Sequence, residues 1–377
     1  MIQVSNSKFC NFFILCYLVL SFISCKSNDN LPKIEIIINI YEKSNYKEFC
    51  DLIYSIQIID LETNDESVFG FAERVIIVND KIFIHDIQTN SIIIFKYPCG
   101  KFQTKINNRG VGPGEYLNIS SFYVDSENMT IEILDNISRK MITYDEKGIF
   151  IKEDRLPFYA KDFRYFNDGK NIVFVNYSFG NYNNLDHEII IVDNNFQIIN
   201  KYLKIERFTS HLIRQNNQIS ILQDQIISFL PKNSSYIFHI NDSLTLKYHI
   251  NFGKNWNTDF FYTNVDNPRQ LVEIANRQNL VRGLSAIETN DKLLISFWYN
   301  NELNMALYDK NYKQHNLIRT EIFNKRRMFL RGVFNDYFLF IKEFRDPDNS
   351  TICSFERTII NSGDDIETPS LILIKFK

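Results

Sequence analysis

The residues in this chain best suited to chemistry are arginines set beside glycines. Val281-Arg282-Gly283-Leu284 and Leu330-Arg331-Gly332-Val333 are near-copies of one another, and Arg74 and His211 stand at comparable places in two other β-rich runs. A guanidinium carries five N–H donors in a planar fork that matches a carboxylate or phosphate. If Arg74, His211, Arg282 and Arg331 faced one space, they would form a cationic mouth for an anionic ligand. The bland alternative is that each arginine pairs with a nearby Asp or Glu and fills space. A second pattern is Arg109-Gly110-Val111-Gly112-Pro113-Gly114-Glu115-Tyr116. Its glycines open backbone conformations closed to other residues, and exposed amides beside Arg109 would suit an anion. The string lacks the Lys-Ser/Thr ending of a phosphate-binding loop and no helix pattern follows it. A tight crossover between sheets, tied by Arg109 or Glu115, is therefore preferred.

Other chemistry is weakly signalled. Of the six histidines only His239 and His249 lie close in sequence, and they fall on different predicted strands. Asp86 and Asp135 end equivalent runs; carboxylates there suit a cation, but turn capping is the commoner role. No Gly-x-Ser-x-Gly nucleophile elbow occurs. No catalytic residue, metal site or cofactor is assigned. The net charge of −3 and the lack of a long basic block give no expectation of nucleic acid.

These residues sit in a repeating frame. Lys81-Ile82-Phe83-Ile84-His85-Asp86, Ser91-Ile92-Ile93-Ile94-Phe95 and a third run after Gly100 precede the glycine-rich string. Thr130 to Asp135, Lys140 to Asp145 and Gly148 then repeat the scheme. A four-stranded unit recurring about every 40–50 residues predicts a β-propeller, and the chain's abundant Ile, Phe, Tyr and Val suit strands. The expected fold is all-β: six blades of four strands over residues 34–377. Blade one spans about 69–110, blade two 117–156, blade three starts near 160 and blade four near 208. Blade four is expected to use 211–213, 218–222, 235–240 and 244–250. Residues 254–280 break the period. Their helical spacing after Asn267-Pro268, with Trp256 and Phe261 nearby, predicts a helical insertion that shapes a binding face. Blade five covers about 280–323. Blade six starts near 328 and is one strand short, so an N-terminal strand, 34–40 or 55–61, is expected to close the ring and hide its free edges.

The N-terminus reads as a targeting segment. Lys8, a short apolar run to Ile23 and the small Ser24 form a secretory signal, too short to span a bilayer, which takes about 20 residues. Phe22-Ile23-Ser24-Cys25 fits a lipoprotein cleavage box, with 1–24 removed, Cys25 lipidated and 25–33 a tether. An ordinary signal peptide or a short uncleaved anchor is the alternative. Cys50, Cys99 and Cys353 remain, an odd set without framework spacing, read as small buried hydrophobes unless the chain ends meet and bridge one pair.

The string Gly110 to Tyr116, followed by Phe122-Tyr123-Val124-Asp125, the Ile-Leu-Asp at 133–135 and Tyr144-Asp145, resembles the bacterial six-bladed β-propeller lipoproteins, relatives of NHL-repeat propellers. The close likeness covers about residues 69–150. It implies fold and envelope location, not chemistry. The expectation is a monomer held to the membrane by lipid, on the periplasmic or surface side, acting as a binding module or scaffold for an envelope protein, peptide or glycan. The alternative is a propeller enzyme, a glycan lyase or a lactone or ester hydrolase, working in the central channel.

Overall fold

The computed structural model describes residues 34–41, 50–166, 169–176, 186–205, 219–222, 225–241, 243–263, 267–319, 328–342, 358–359 and 369–377. Six antiparallel sheets follow one another along the chain. From the axis outward, blade one holds Ala72–Val78, Lys81–Asp86, Ser91–Lys96 and Phe102–Ile106. Blade two holds Ser121–Asp125, Thr130–Asp135, Lys140–Tyr144 and Phe150–Arg155. Blade three holds Asp162–Phe166, Asn171–Val175, His187–Asp193 and Ile198–Lys204. Blade five holds Arg282–Glu288, Lys292–Tyr299, Glu302–Asp309 and Gln314–Arg319. Because strands alternate in direction, the second-to-third turns and the blade-to-blade connections share one face of the ring, here the crossover face. The other turns share the opposite face. Asn79 and Asn335 make equivalent left-handed turns there in blades one and six, a conformation Asn tolerates.

The continuous apolar runs are explained by burial on both sides. In Ser91–Lys96, Ile92 and Ile94 pack towards blade two, while Ile93 and Phe95 pack towards blade six. The same alternation builds one core between every neighbouring pair of blades, six in all around the ring.

Ring closure falls to the second of the two N-terminal candidates. Ile53–Asp60 pairs antiparallel with Ser370–Phe376, setting Ile56 against Ile374 and Ile58 against Ile372. Blade six then reads Met328–Phe334, Tyr337–Lys342, Ser370–Phe376, Ile53–Asp60. The first candidate, Ile34–Ile37, runs parallel to Leu244–Asn251 as a fifth strand outside blade four, and Ile36, Ile38 and Ile40 join the core between blades four and five. Thr358–Ile359 lies parallel outside the closure strand.

Blade four departs from the sequence reading. Residues 211–213 lie outside the described residues. The innermost strand is Ile219–Ile221, followed by Ile227–Phe229, Tyr236–Ile240 and Leu244–Asn251. Ile227–Phe229 went unrecognised because only three residues pair before Pro231. Cys50 is disulfide-bonded, with its partner outside the described residues, and Cys99 is half-buried and not in a disulfide, so Cys50 is not the small buried hydrophobe expected.

Recurrent carboxylates hold the turns. Asp86 accepts the amides of Phe71, Gln88 and Thr89, and Asp135 those of Leu117, Ile137 and Ser138. Each thus ties an incoming crossover to a turn of its own blade, the capping role. Both are fully buried, so removing one leaves several amides without an acceptor. Asp135→Ala is expected to destabilise by roughly 2–4 kcal/mol in urea denaturation, whereas the exposed Asp154→Ala stays within about 0.5 kcal/mol.

Candidate functional site

The three arginines singled out from sequence each sit at or beside a bulge in an innermost strand. The register shifts at Ala72/Arg74, Arg282/Ser285 and Leu330/Gly332, and a bulge re-aims the side chains around it. They do not gather. Arg331 is buried with its guanidinium carbon 4.5 Å from the centre of the Phe71 ring and 4.9 Å from that of Phe329. Arg282 lies 5.3 Å over Trp298 and reaches Asn301 Oδ1 at 3.5 Å. Arg74 is engaged at the axis. His211 lies outside the described residues, as does Cys25.

At the axis, blades one, two and three meet. Arg74 Nη1 and Nη2 donate to Asp162 Oδ1 and Oδ2 at 3.1 and 2.7 Å, and Nη1 also donates to Ser121 Oγ at 2.7 Å. The Ser121 hydroxyl donates to Asp162 Oδ1. Arg164 Nη1 donates to the same oxygen at 2.7 Å. Blades one and three are not neighbours, so these side chains meet only across the channel. Burial alone would raise the Asp162 pKa, but Arg164, Arg74 and the Ser121 hydroxyl hold it well below the usual carboxylate range. Burial, reinforced by Arg74 and opposed by Asp162, brings Arg164 down to about 10. Sequence reading missed Asp162, Ser121 and Arg164. The available signal was Asp162-Phe163-Arg164 at the expected start of blade three, since residues two apart on a strand share a face.

The glycine-rich string is a crossover in which carboxylates take two of the glycine amides. Glu115 takes the Gly112 amide at 2.9 Å and Glu153 takes the Gly114 amide at 3.1 Å. Lys140 bridges Glu153 at 3.0 Å, and Tyr144 Oη donates to the Gly114 carbonyl at 2.7 Å. Tyr116 is buried, its hydroxyl against the carbonyls of Asn90 and Ile106. Gly114 has φ +70 and a Cβ there would meet the Phe150 ring. Gly110 abuts the Glu115 carboxylate, Pro113 lies at the tip, and Arg109 is exposed. Carboxylates fill the cradle an anion would need.

Two further polar groups lie between blades. Glu288 meets His239 Nε2 at 3.0 Å, Tyr248 Oη at 3.0 Å and Lys310 Nζ at 2.7 Å. Burial opposes its ionisation, but His239 and Lys310 bring its pKa down to about 2. Glu188 is the opposite case: burial pushes it up to about 7, against the backbone amide and charge of Lys232. Lys232 falls to about 8 through burial and repulsion by Lys161.

The insertion after blade four comprises 3-10 turns at Gly253–Asn255 and Thr258–Tyr262 and helix α1 (Pro268–Arg277), capped by the Asn267 side chain on the Gln270 amide. Its aromatics form a small core of their own. Phe260 and Phe261 are buried with Leu271, Ala275 and Leu280, and half-buried Trp256 lies 5.0 Å from Phe261 and stacks on Phe252. Trp256 and Phe261 therefore shape the insertion from beneath. Its neighbour in space, Tyr41, is 57% exposed and lies edge-on to Tyr299 at 6.4 Å.

Six four-stranded units around a polar axis, closed by an N-terminal strand, define a six-bladed β-propeller. The chain belongs to the DUF5128 family, a 6-bladed beta-propeller, which matches residues 25–332. Among solved structures, a Bacteroides fragilis NCTC 9343 protein described as exported is similar at 18% identity with a TM-score of 0.73, covering 91% of this chain and 99% of that one. A Bacteroides vulgatus ATCC 8482 member of the duf4221 family is 9% identical with a TM-score of 0.49, covering 86% and 97%. A Staphylococcus aureus virginiamycin B lyase is 12% identical with a TM-score of 0.45, covering 85% and 99%. At such identity the first likeness shows the fold alone. No curated protein matches the chain in sequence.

Glu188 makes stability pH-dependent. Its folded value of about 7 lies above the ordinary 4.5, so between those values the native state holds a proton that the unfolded chain has released. That contribution is present in full below about pH 4.5 and is lost as pH rises to about 7. Glu188→Gln is expected to remove this fall, leaving the variant more stable than the wild type by roughly 1–3 kcal/mol at pH 8. Urea midpoints at pH 5 and pH 8 check it; equal slopes in both proteins would contradict it.

Proposed function

We propose that this protein is an exported, lipid-anchored binding module of the cell envelope, taking a peptide or glycan on the crossover face beside the insertion between blades four and five. The N-terminal signal and Cys25 support export and anchoring, as does the exported Bacteroides fragilis neighbour. Among the described residues no helix is long and apolar enough to cross a membrane, so in this reading the attachment comes from the lipid.

One observation carries the binding reading. Tyr41 stands exposed beside Tyr299, with the Asn255 amide 3.5 Å from its hydroxyl. On the same side of the ring, Arg282 covers Trp298 and reaches Asn301, which also accepts from Asn276 at 2.9 Å. Aromatic rings with a polar edge, next to side-chain amides, supply apolar stacking and directed hydrogen bonds together. A sugar ring or an extended peptide presents both kinds of surface. The propeller contributes a rigid mount, and recognition lives in what is added to it.

An enzyme acting on a glycan, lactone or ester has one observation in its favour: Glu188 and Lys232 titrate near neutral pH side by side, where proton donors and acceptors work best.

The expected result is that Cys25→Ala releases the protein from the membrane fraction. Tyr41→Ala is expected to lower retention of envelope-derived peptides and glycans about tenfold with an unchanged Tm. Membrane retention by Cys25→Ala overturns the anchor, and unchanged ligand retention by Tyr41→Ala overturns the site.

A further inference from the structure

We propose that the axis of the ring holds a binding site for a small oxyanion, a carboxylate or a phosphate, built on Arg164 with Arg74 beside it. This does not depend on the crossover-face reading.

Charge balance is the first ground. The axial cluster contains two guanidiniums, Arg74 and Arg164, and one carboxylate, Asp162. The charged groups acting most strongly on Arg164 are Arg74 and Asp162, with no second carboxylate among them. The cluster therefore carries one net positive charge. The Arg164 side chain is only 10% exposed, so that charge is largely withdrawn from water. An uncompensated buried charge is costly, and an anion in the channel would relieve it.

Valence is the second ground. Asp162 is crowded on one side: Oδ1 accepts from Arg74, Ser121, Arg164 and the Phe163 amide, and Oδ2 accepts from Arg74. Only one edge of Arg164 is turned to it. That guanidinium uses only Nη1, towards Asp162 and the Phe163 carbonyl. Its Nε and Nη2 have no acceptor among the described residues, and neither is sealed from solvent. Arg164 stands on the innermost strand of its blade, beside the channel. A free guanidinium edge presents two parallel N–H bonds, the geometry that a carboxylate or phosphate accepts in bidentate fashion.

Position is the third. Asp162 holds Nη1 of Arg164, and Asp162 with Ser121 holds both Nη groups of Arg74, so the free edge is held in place before a ligand arrives. Such preorganisation reduces the ordering entropy lost on binding. The single excess charge suits one anionic group, such as the carboxylate of a peptide C-terminus or uronic acid, or a phosphate monoester.

The test uses the full mature chain and two probes, sodium acetate and sodium phosphate, titrated by calorimetry at pH 7 and constant ionic strength in low chloride. The expected result is saturable binding of at least one probe at one site per chain, weakened about ten- to a hundredfold in Arg164→Gln. Acetate alone identifies a carboxylate site and phosphate alone a phosphate site. Arg164→Gln removes the excess charge, so without an anion its Tm is expected to equal or exceed that of the wild type. No saturable binding by the wild type overturns the proposal even if the variant fails to fold. Equal affinity in wild type and variant overturns it by placing the anion elsewhere.

Discussion

The pairing of Ile53–Asp60 with Ser370–Phe376 is the constraint on which the rest of this structure depends. A row of sheets has two unpaired ends, and unpaired strand edges invite wrong partners. Here the last blade is completed by residues from the start of the domain, so the two ends of the chain become one sheet. Once that sheet forms, blade six must sit against blade one. Gly332 shows how closely: a Cβ there would lie 2.4 Å from the Val75 carbonyl oxygen. The cost is a contact between residues some 300 apart in sequence, slow to find but strongly held once made.

Closure also determines what lies at the axis. Each interblade core is built from alternating residues of sheets buried on both faces, which leaves the innermost strands as the source of channel-lining side chains. Arg74 spans from blade one to Asp162 in blade three, with Ser121 of blade two between them. An open ring would let these strands move apart and strand the buried charges. Hydrophobic packing around the circumference thus supports a polar arrangement at the centre, the reverse of an ordinary globular core. Buried carboxylates such as Asp86 and Asp135 link the two layers by fixing each crossover to its blade.

Much of this was legible in the sequence because the fold repeats. Turn residues at fixed intervals and β-rich runs such as Ile92-Ile93-Ile94-Phe95 mark strands locally, and counting them gives six blades with one strand missing. What remained hidden was non-local. Nothing in Ile34–Ile37 or Ile53–Asp60 says which sheet edge it will join, because both are short apolar strands and the choice is made by packing. Ile227–Phe229 is too short to show a period. The arginines were found, but their partners were not, because strands 47 and 88 residues apart bring Ser121 and Asp162 to Arg74. The glycine-rich string was legible as a crossover, since its lack of a phosphate-loop ending counted against an anion cradle. The carboxylates that fill it, one local and one 39 residues on, needed the fold. Trp256 and Phe261 lie in the insertion, but their packing beneath helix α1 is a tertiary property that composition does not reveal.

Amide hydrogen exchange across Ile53–Asp60 in the full chain tests ring closure most directly. If this strand seals the propeller, its paired amides exchange only through global unfolding, with the same opening free energy as Ile92–Phe95 in blade one. Exchange through a much smaller local opening, with blades one to three still protected, would show that the ring stays folded without its closure strand and would contradict the account.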